Sequence, residues 1–312
     1  MVDLGVRIGS LHLNNPVMPG SGTFAEGLAQ VIAFERLGAL VIKTFTEELR
    51  DGNPTPRVAE VANGMLNSIG IPSRGVDHFI NTTLPFYSRF ETPLIVSVAA
   101  PTPQGFYDIV RRIDLPGVAG IEANISCPNV DDEGQAFAMH PRTTAQVVER
   151  LRKATTKPLW IKLTPNTNDV AEIARAAEGA GADALVVTNT YLAMAIDVET
   201  FRPKLGSLMG GLSGPAIKPI SLRMAYQCAQ AVKIPIIGSG GIASAEDAVE
   251  FMLAGATAVQ VGTASFVRPT ALIDIIDGLA AFCVRKGIQR VAALTGALVK
   301  EDAGVIRLAS AP

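Results

Sequence analysis

No two cysteines in this chain are spaced to share a metal. Cys127, Cys228 and Cys283 are the only three among 312 residues, and no CxxC pair occurs. That excludes a disulfide framework, a zinc site or an iron–sulfur cluster built by this chain alone. His12, His78 and His140 form no ligand pair by spacing, so metal catalysis has no support. The formal charge is only −2 and there is no basic tract, which removes the electrostatic basis for nucleic-acid binding. No uninterrupted apolar run reaches the roughly 18 residues of a membrane span. The opening MVDLGVRIGS has neither the basic nor the apolar region of a secretory leader. Free thiols without a leader predict a cytoplasmic protein. No linker-like tract divides the chain, and no GxGxxG opens a helix after the first strand.

What the chain does have is a recurring unit. Short apolar, often β-branched segments fall at Val17–Met18, Leu40–Thr44, Leu94–Val98, Ile121–Ser126, Leu159–Leu163, Ala184–Asn189, Ile236–Gly238 and Ala258–Val261. Such runs suit strands buried on both faces. Amphipathic segments separate them, among them Thr143–Lys153, Asp169–Ala180, Ile217–Ala231 and Ala245–Leu253. Eight strand-plus-helix units with no break in composition predict an α/β fold, a single (β/α)8 TIM barrel domain over residues 1–312. The competing architecture is an open doubly wound sheet, which lacks its glycine fingerprint here. Two connections are long: Glu47 to about Arg89, and Tyr191 to Pro215. Both follow strand C-terminal ends, the face where barrel sites are built. Their mixture of proline and apolar residues predicts order rather than a floppy loop.

The segment Ile121 to Val130, IEANISCPNV, begins with strand alternation and ends in a polar loop. Asn and Ser at a buried strand end need hydrogen-bond partners, and a ligand is one candidate. Cys127 follows directly, among hydrogen-bonding groups, whereas Cys228 and Cys283 lie on apolar helical faces and read as small buried hydrophobes. Lys43 and Lys162 each interrupt an apolar strand. A lysine so placed needs an anion or strong acceptors. Either a carboxylate such as Glu122 or a shared anionic ligand fits. Thr188, Asn189 and Thr190 repeat the polar strand end, with a turn or capping role as the alternative. Gly238 ends one strand, Gly240 and Gly241 follow it, and Gly262 follows the next. Backbone N–H groups exposed there suit a phosphate, which barrels often hold after strands seven and eight. There is no Walker lysine, so a phosphorylated cofactor fits better than a nucleoside triphosphate.

Four stretches carry a family likeness: Gly64-Met65-Leu66-Asn67-Ser68-Ile69-Gly70, Asn124-Ile125-Ser126-Cys127-Pro128-Asn129, Gly210-Gly211-Leu212-Ser213-Gly214-Pro215 and Gly238-Ser239-Gly240-Gly241. In order along nearly the whole chain, they resemble the dihydroorotate dehydrogenases. A cysteine in the second stretch is the class 1 pattern, where class 2 enzymes have serine. The first and third look like class 1B, the catalytic subunit of an NAD-linked complex. Ser97 stands where many class 1B relatives place an asparagine.

The resemblance implies an FMN-dependent oxidation of (S)-dihydroorotate to orotate in pyrimidine biosynthesis. It implies that Cys127 takes the C5 proton while a hydride leaves C6 for the flavin. By position it implies that Lys43, Asn67, Ser68, Ile69, Gly70, Ile71, Asn124, Asn129, Asn189 and Thr190 hold the substrate. Ser21, Gly22, Lys43, Thr44, Ser97, Asn124, Lys162, Thr188, Gly214, Gly240, Gly241, Gly262 and Thr263 are implied to hold the FMN. Since this chain lacks the thiols for an iron–sulfur cluster, FAD and a [2Fe-2S] cluster are expected on a partner electron-transfer subunit. The implied assembly is a heterotetramer around a homodimer of catalytic chains. A fumarate-linked class 1A-like enzyme and a related dihydropyrimidine dehydrogenase are the alternatives.

Overall fold

The computed structural model describes residues 2–126 and 136–300. Eight strands make one sheet: β1 Val17–Pro19, β2 Leu40–Val41, β3 Leu94–Val98, β4 Gly120–Asn124, β5 Leu159–Lys162, β6 Ala184–Val187, β7 Ile236–Ser239 and β8 Ala256–Val261. All pairings within it are parallel. The spatial order is sequential, with β8 paired to β1. The remaining seam, between β1 and β2, is bridged by Gly38 N donating to Val17 O at 2.9 Å and Thr44 N donating to Ser21 O at 3.2 Å. The sheet is thereby closed as a (β/α)8 barrel.

Every residue of β3, β4, β5 and β6 is buried, as both-sided burial by helices requires. The helix Pro103–Ile113 shows how the outer layer forms. Thr102 caps it by accepting from Gly105 N at 3.0 Å, and proline opens it. Phe106, Ile109, Val110 and Ile113 then share one buried face. Burying a side chain of this size contributes roughly 1.5–3 kcal/mol.

The amphipathic segments read from the sequence become helices Pro141–Ala154, Val170–Gly179, Lys218–Ala231 and Ala245–Leu253. Asp169 is the cap of its helix rather than part of it, accepting from Ala171 N and Glu172 N. β4 stops at Asn124, short of the expected Ser126, because Ile125 N turns back to Ala123 O at 3.1 Å. Part of the long connection after β2 is a helical run from Gly75 to Tyr87, with a π-helical middle at Phe79–Thr83. It is the barrel's own helix between β2 and β3. Segments of both long connections pair into a four-stranded antiparallel sheet, in the order Tyr191–Ala193, Gly210–Ser213, Gly64–Asn67, Val58–Val61, and shorter pieces form two two-stranded ribbons. It stands over the C-terminal ends of the barrel strands. An N-terminal hairpin, Val6–Ile8 against Leu11–Leu13, buries Val6, Ile8 and Leu13 at the opposite end. No helix among the described residues is long and apolar enough to cross a membrane.

The helix Ala245–Leu253 starts with a capping box. Ser244 Oγ accepts from Asp247 N, and Asp247 Oδ2 accepts from the backbone N–H groups of Ser244 and Ala243. Asp247 Oδ1 also accepts from Lys218 Nζ at 2.7 Å. Burial alone pushes the Asp247 carboxyl up, but Lys218 and these N–H donors together hold it below its ordinary value. The hydrogen bond to Asp247 raises Lys218. The carboxylate therefore stabilises the fold above its unfolded value of roughly 3.9, and this is lost as pH falls through the lowered folded value. For Lys218 the contribution is present below roughly 10.4 and lost as pH rises through the raised value. Asp247→Asn is expected to cost about 1–2 kcal/mol near neutral pH, read as a Tm lower by about 2–4 °C. An unchanged Tm would contradict this account.

Candidate active site

A cavity of about 630 Å³ opens at the C-terminal end of the barrel, between the strand ends and the antiparallel sheet. That volume falls in the range of cofactor and ligand sites. Loops after β1, β2, β4, β5, β6, β7 and β8 all contribute to its wall.

Of the residues singled out in the sequence, nineteen line it. They are Ser21, Gly22, Lys43, Thr44, Asn67, Ser68, Ile69, Gly70, Ile71, Asn124, Lys162, Thr188, Asn189, Thr190, Gly214, Gly240, Gly241, Gly262 and Thr263. Ser97 does not. It is fully buried one layer below the wall, where its hydroxyl meets Thr44 Oγ1 at 2.8 Å. Cys127 and Asn129 lie outside the described residues. The chain is described up to Ser126 and again from Ala136, and both of these residues line the cavity.

At one end of the cavity, amides from three elements converge. Ser126 Oγ donates to Asn124 Oδ1 at 2.7 Å, and Asn189 Nδ2 donates to Ser126 Oγ at 2.7 Å. Asn189 Oδ1 is taken by Thr190 N at 2.8 Å. This network sets the Asn124 amide so that its NH2 is left for the cavity. Asn67 is set the other way. Its Nδ2 donates to Gly211 O at 3.1 Å, leaving its oxygen as an acceptor. The pocket thus offers donor and acceptor side by side, which matches a ring carrying both C=O and N–H groups. Half-buried Lys43 adds a positive charge to the same wall.

At the other end are the glycines. Gly240 and Gly241 have φ of +120° and +78°. A Cβ on Gly241 would stand 2.7 Å from Lys218 N, and one on Gly240 would collide with Ser221 Oγ. Only glycine fits both the turn and the space. With Gly214, Gly262 and Thr263 they form a cradle of backbone suited to a phosphate.

Lys162, on β5 between these ends, is buried and donates to Ser21 Oγ at 3.2 Å and Gln260 Oε1 at 3.4 Å. Its expected carboxylate partner, Glu122, is not bonded to it directly. Gln260 stands between them, donating to Glu122 Oε2 at 2.5 Å. Gln260 escaped the sequence reading, although a polar residue between Val259 and Val261 carries the same signal as the two lysines. Thr164 and Asn166 were also missed, yet they line the cavity just after β5.

Cys228 and Cys283 are fully buried in helices Lys218–Ala231 and Ala271–Lys286. Burial, helped by the Asp169 charge, pushes the Cys228 thiol up to about 12, and burial raises Cys283 as well. An alkylating reagent at pH 7 is therefore expected to modify no more than one thiol quickly, and that one at Cys127. Peptide mass mapping that finds rapid label on Cys228 would contradict this.

The geometry defines a (β/α)8 barrel with one large cavity at its strand C-terminal face, polar amides at one end and a glycine turn at the other. The dihydroorotate dehydrogenase family profile matches residues 3–283. Similar chains named dihydroorotate dehydrogenase B (NAD(+)), catalytic subunit, come from Trichlorobacter lovleyi, at 51% identity over 95% of this chain and 98% of that protein. Others come from Pelobacter propionicus, at 48% over 95% and 98%, and from a Thermoanaerobacter species, at 45% over 95% and 99%. The chain belongs to the dihydroorotate dehydrogenase family.

Proposed function

We propose that this chain oxidises (S)-dihydroorotate to orotate on a bound FMN, as the single-domain catalytic subunit of an NAD-linked enzyme in pyrimidine biosynthesis. The observation that carries this reading is the two-ended cavity. One end has amides of opposite hydrogen-bond sense beside a lysine, and the other has a glycine cradle, with room between for a tricyclic ring. The residues fit the cofactor: Gly240, Gly241, Gly262 and Thr263 would hold its phosphate, and Ser21, Thr44 and Lys162 its ring. When bound, FMN supplies the hydride acceptor for C6 of the substrate.

The chain's own residues do the rest. Asn67, Asn124 and Asn189 orient the pyrimidine ring, and Lys43 meets its carboxylate. Cys127, next in sequence to Ser126 of the cavity wall, removes the C5 proton, which is acidic because it is α to a carbonyl. Gly70, Ile69 and Ile71 close the substrate end from the long connection after β2. Onward electron transfer needs a cluster held by several thiolates, and two of this chain's three cysteines are buried in helices. FAD and a [2Fe-2S] cluster therefore belong to a partner subunit, in a cytoplasmic heterotetramer built on a catalytic homodimer.

Anaerobic mixing with dihydroorotate is expected to bleach the visible flavin absorbance of the purified holoprotein. Flavin that stays oxidised would overturn the substrate assignment. Bleaching by dihydrouracil instead would favour a dihydropyrimidine dehydrogenase.

A further inference from the structure

Below the cavity floor the barrel holds a carboxylate that no step above uses. Glu122, on β4, is fully buried. A charge in that position is strongly disfavoured unless its oxygens are hydrogen-bonded. Both are. Oε2 accepts from Gln260 Nε2 at 2.5 Å and Oε1 accepts from Ser97 Oγ at 3.0 Å. From Gln260 the line continues, since its Oε1 accepts from Lys162 Nζ at 3.4 Å. From Ser97 it continues the other way. The Ser97 proton is committed to Glu122, so the 2.8 Å contact with Thr44 must be donated by Thr44 Oγ1. Lys162 and Thr44, the two outer members, line the cavity, while Ser97, Glu122 and Gln260 do not. A carboxylate can only accept, so it fixes the sense of every bond in the line.

We propose that Glu122 is a positioning residue that sets the hydrogen-bond polarity and the net field of the flavin site without touching the ligand. Through Gln260 it keeps the Lys162 ammonium at the cavity wall. Through Ser97 it turns the Thr44 proton inward, so that Thr44 presents an acceptor. The wall therefore offers a cationic donor on β5 and a neutral acceptor after β2. That pair selects a planar heterocycle with an acceptor edge toward Lys162 and an N–H toward Thr44. The inference rests on reading the cavity as a flavin site.

The charges act on the bound ring in opposite senses. Lys162 favours added negative charge on it, and Glu122, held off by one amide, opposes that. Glu122→Gln deletes the opposing charge and keeps the shape, so reduction becomes easier. Gln260→Ala removes the bridging amide and its bulk, letting Lys162 and Glu122 draw together, so the cation withdraws and reduction becomes harder.

The test is the flavin midpoint potential of the wild-type holoprotein and of each variant. Glu122→Gln is expected to raise it by at least a tenfold change in the reduction equilibrium, about 30 mV for a two-electron couple. Gln260→Ala is expected to lower it. A packing role alone gives no shift, or shifts of one sign in both, and either result overturns the proposal. If Glu122→Gln does not fold, Gln260→Ala decides alone: a potential equal to or above wild type overturns it. A wild-type protein that binds no FMN overturns the flavin reading and this proposal together. A flavin-loaded protein whose potential ignores both substitutions overturns only this one.

Discussion

Replacing Cys127 by serine is expected to slow dihydroorotate-driven bleaching of the flavin by about 10²–10⁴-fold, the usual contribution of a positioned base. The flavin should stay bound. A thiol ionises near roughly 8.5, close enough to neutrality to hold a usable fraction of thiolate. An aliphatic hydroxyl holds far less, so serine placed in a site built around a thiol is a much weaker base near neutral pH. The wild-type rate should therefore climb with pH, by about tenfold per unit, and level off once the thiol has ionised. The variant should show no plateau in the same range. Asn124, Ser126 and Asn189 are held by bonds to one another, so the amide end of the pocket should survive the change. Stopped-flow absorbance of the two holoproteins decides the matter. A serine variant as fast as wild type would remove Cys127 from the base role.

Gly241→Val should weaken FMN binding by about 5–150-fold, the equivalent of about 1–3 kcal/mol of backbone strain. The glycine sits at φ +78°, and any Cβ would press on Lys218 N and Cα at 2.7 and 2.8 Å. The backbone must move, and the N–H groups proposed to hold the phosphate move with it. Gly179→Ala is the control, because it lies in the helix Val170–Gly179 outside the cavity lining and its Cβ would meet nothing within 4 Å. Equilibrium dialysis of FMN against both variants should separate them. Equal affinities would remove the cradle from the binding account.

The barrel was legible because each of its strands is a short, locally apolar run. Leu94–Val98 keeps the same bounds in sequence and in structure. The antiparallel sheet over the mouth was not. Its members Gly64–Asn67 and Gly210–Ser213 contain glycine and show no alternation, and Asn67 pairs with Gly211 from the far side of the barrel. Long-range pairing leaves no mark in either segment alone. The site was legible residue by residue, since buried Lys162 and Asn124 break apolar strands. Its wiring was not. The sequence offered Glu122 as a direct partner for a lysine, and the fold inserts Gln260 between them. Ser97 was placed against the flavin, and the fold sets it behind Thr44.

The cross-pairing of Met65, Leu66 and Asn67 with Ser213, Leu212 and Gly211 has a consequence for biosynthesis. A nascent chain that has left the ribosome only as far as residue 200 holds one half of this seam and has nothing to knit it to. Ligand capture must wait for the later half, so acquisition of colour by the growing polypeptide would report completion of its synthesis.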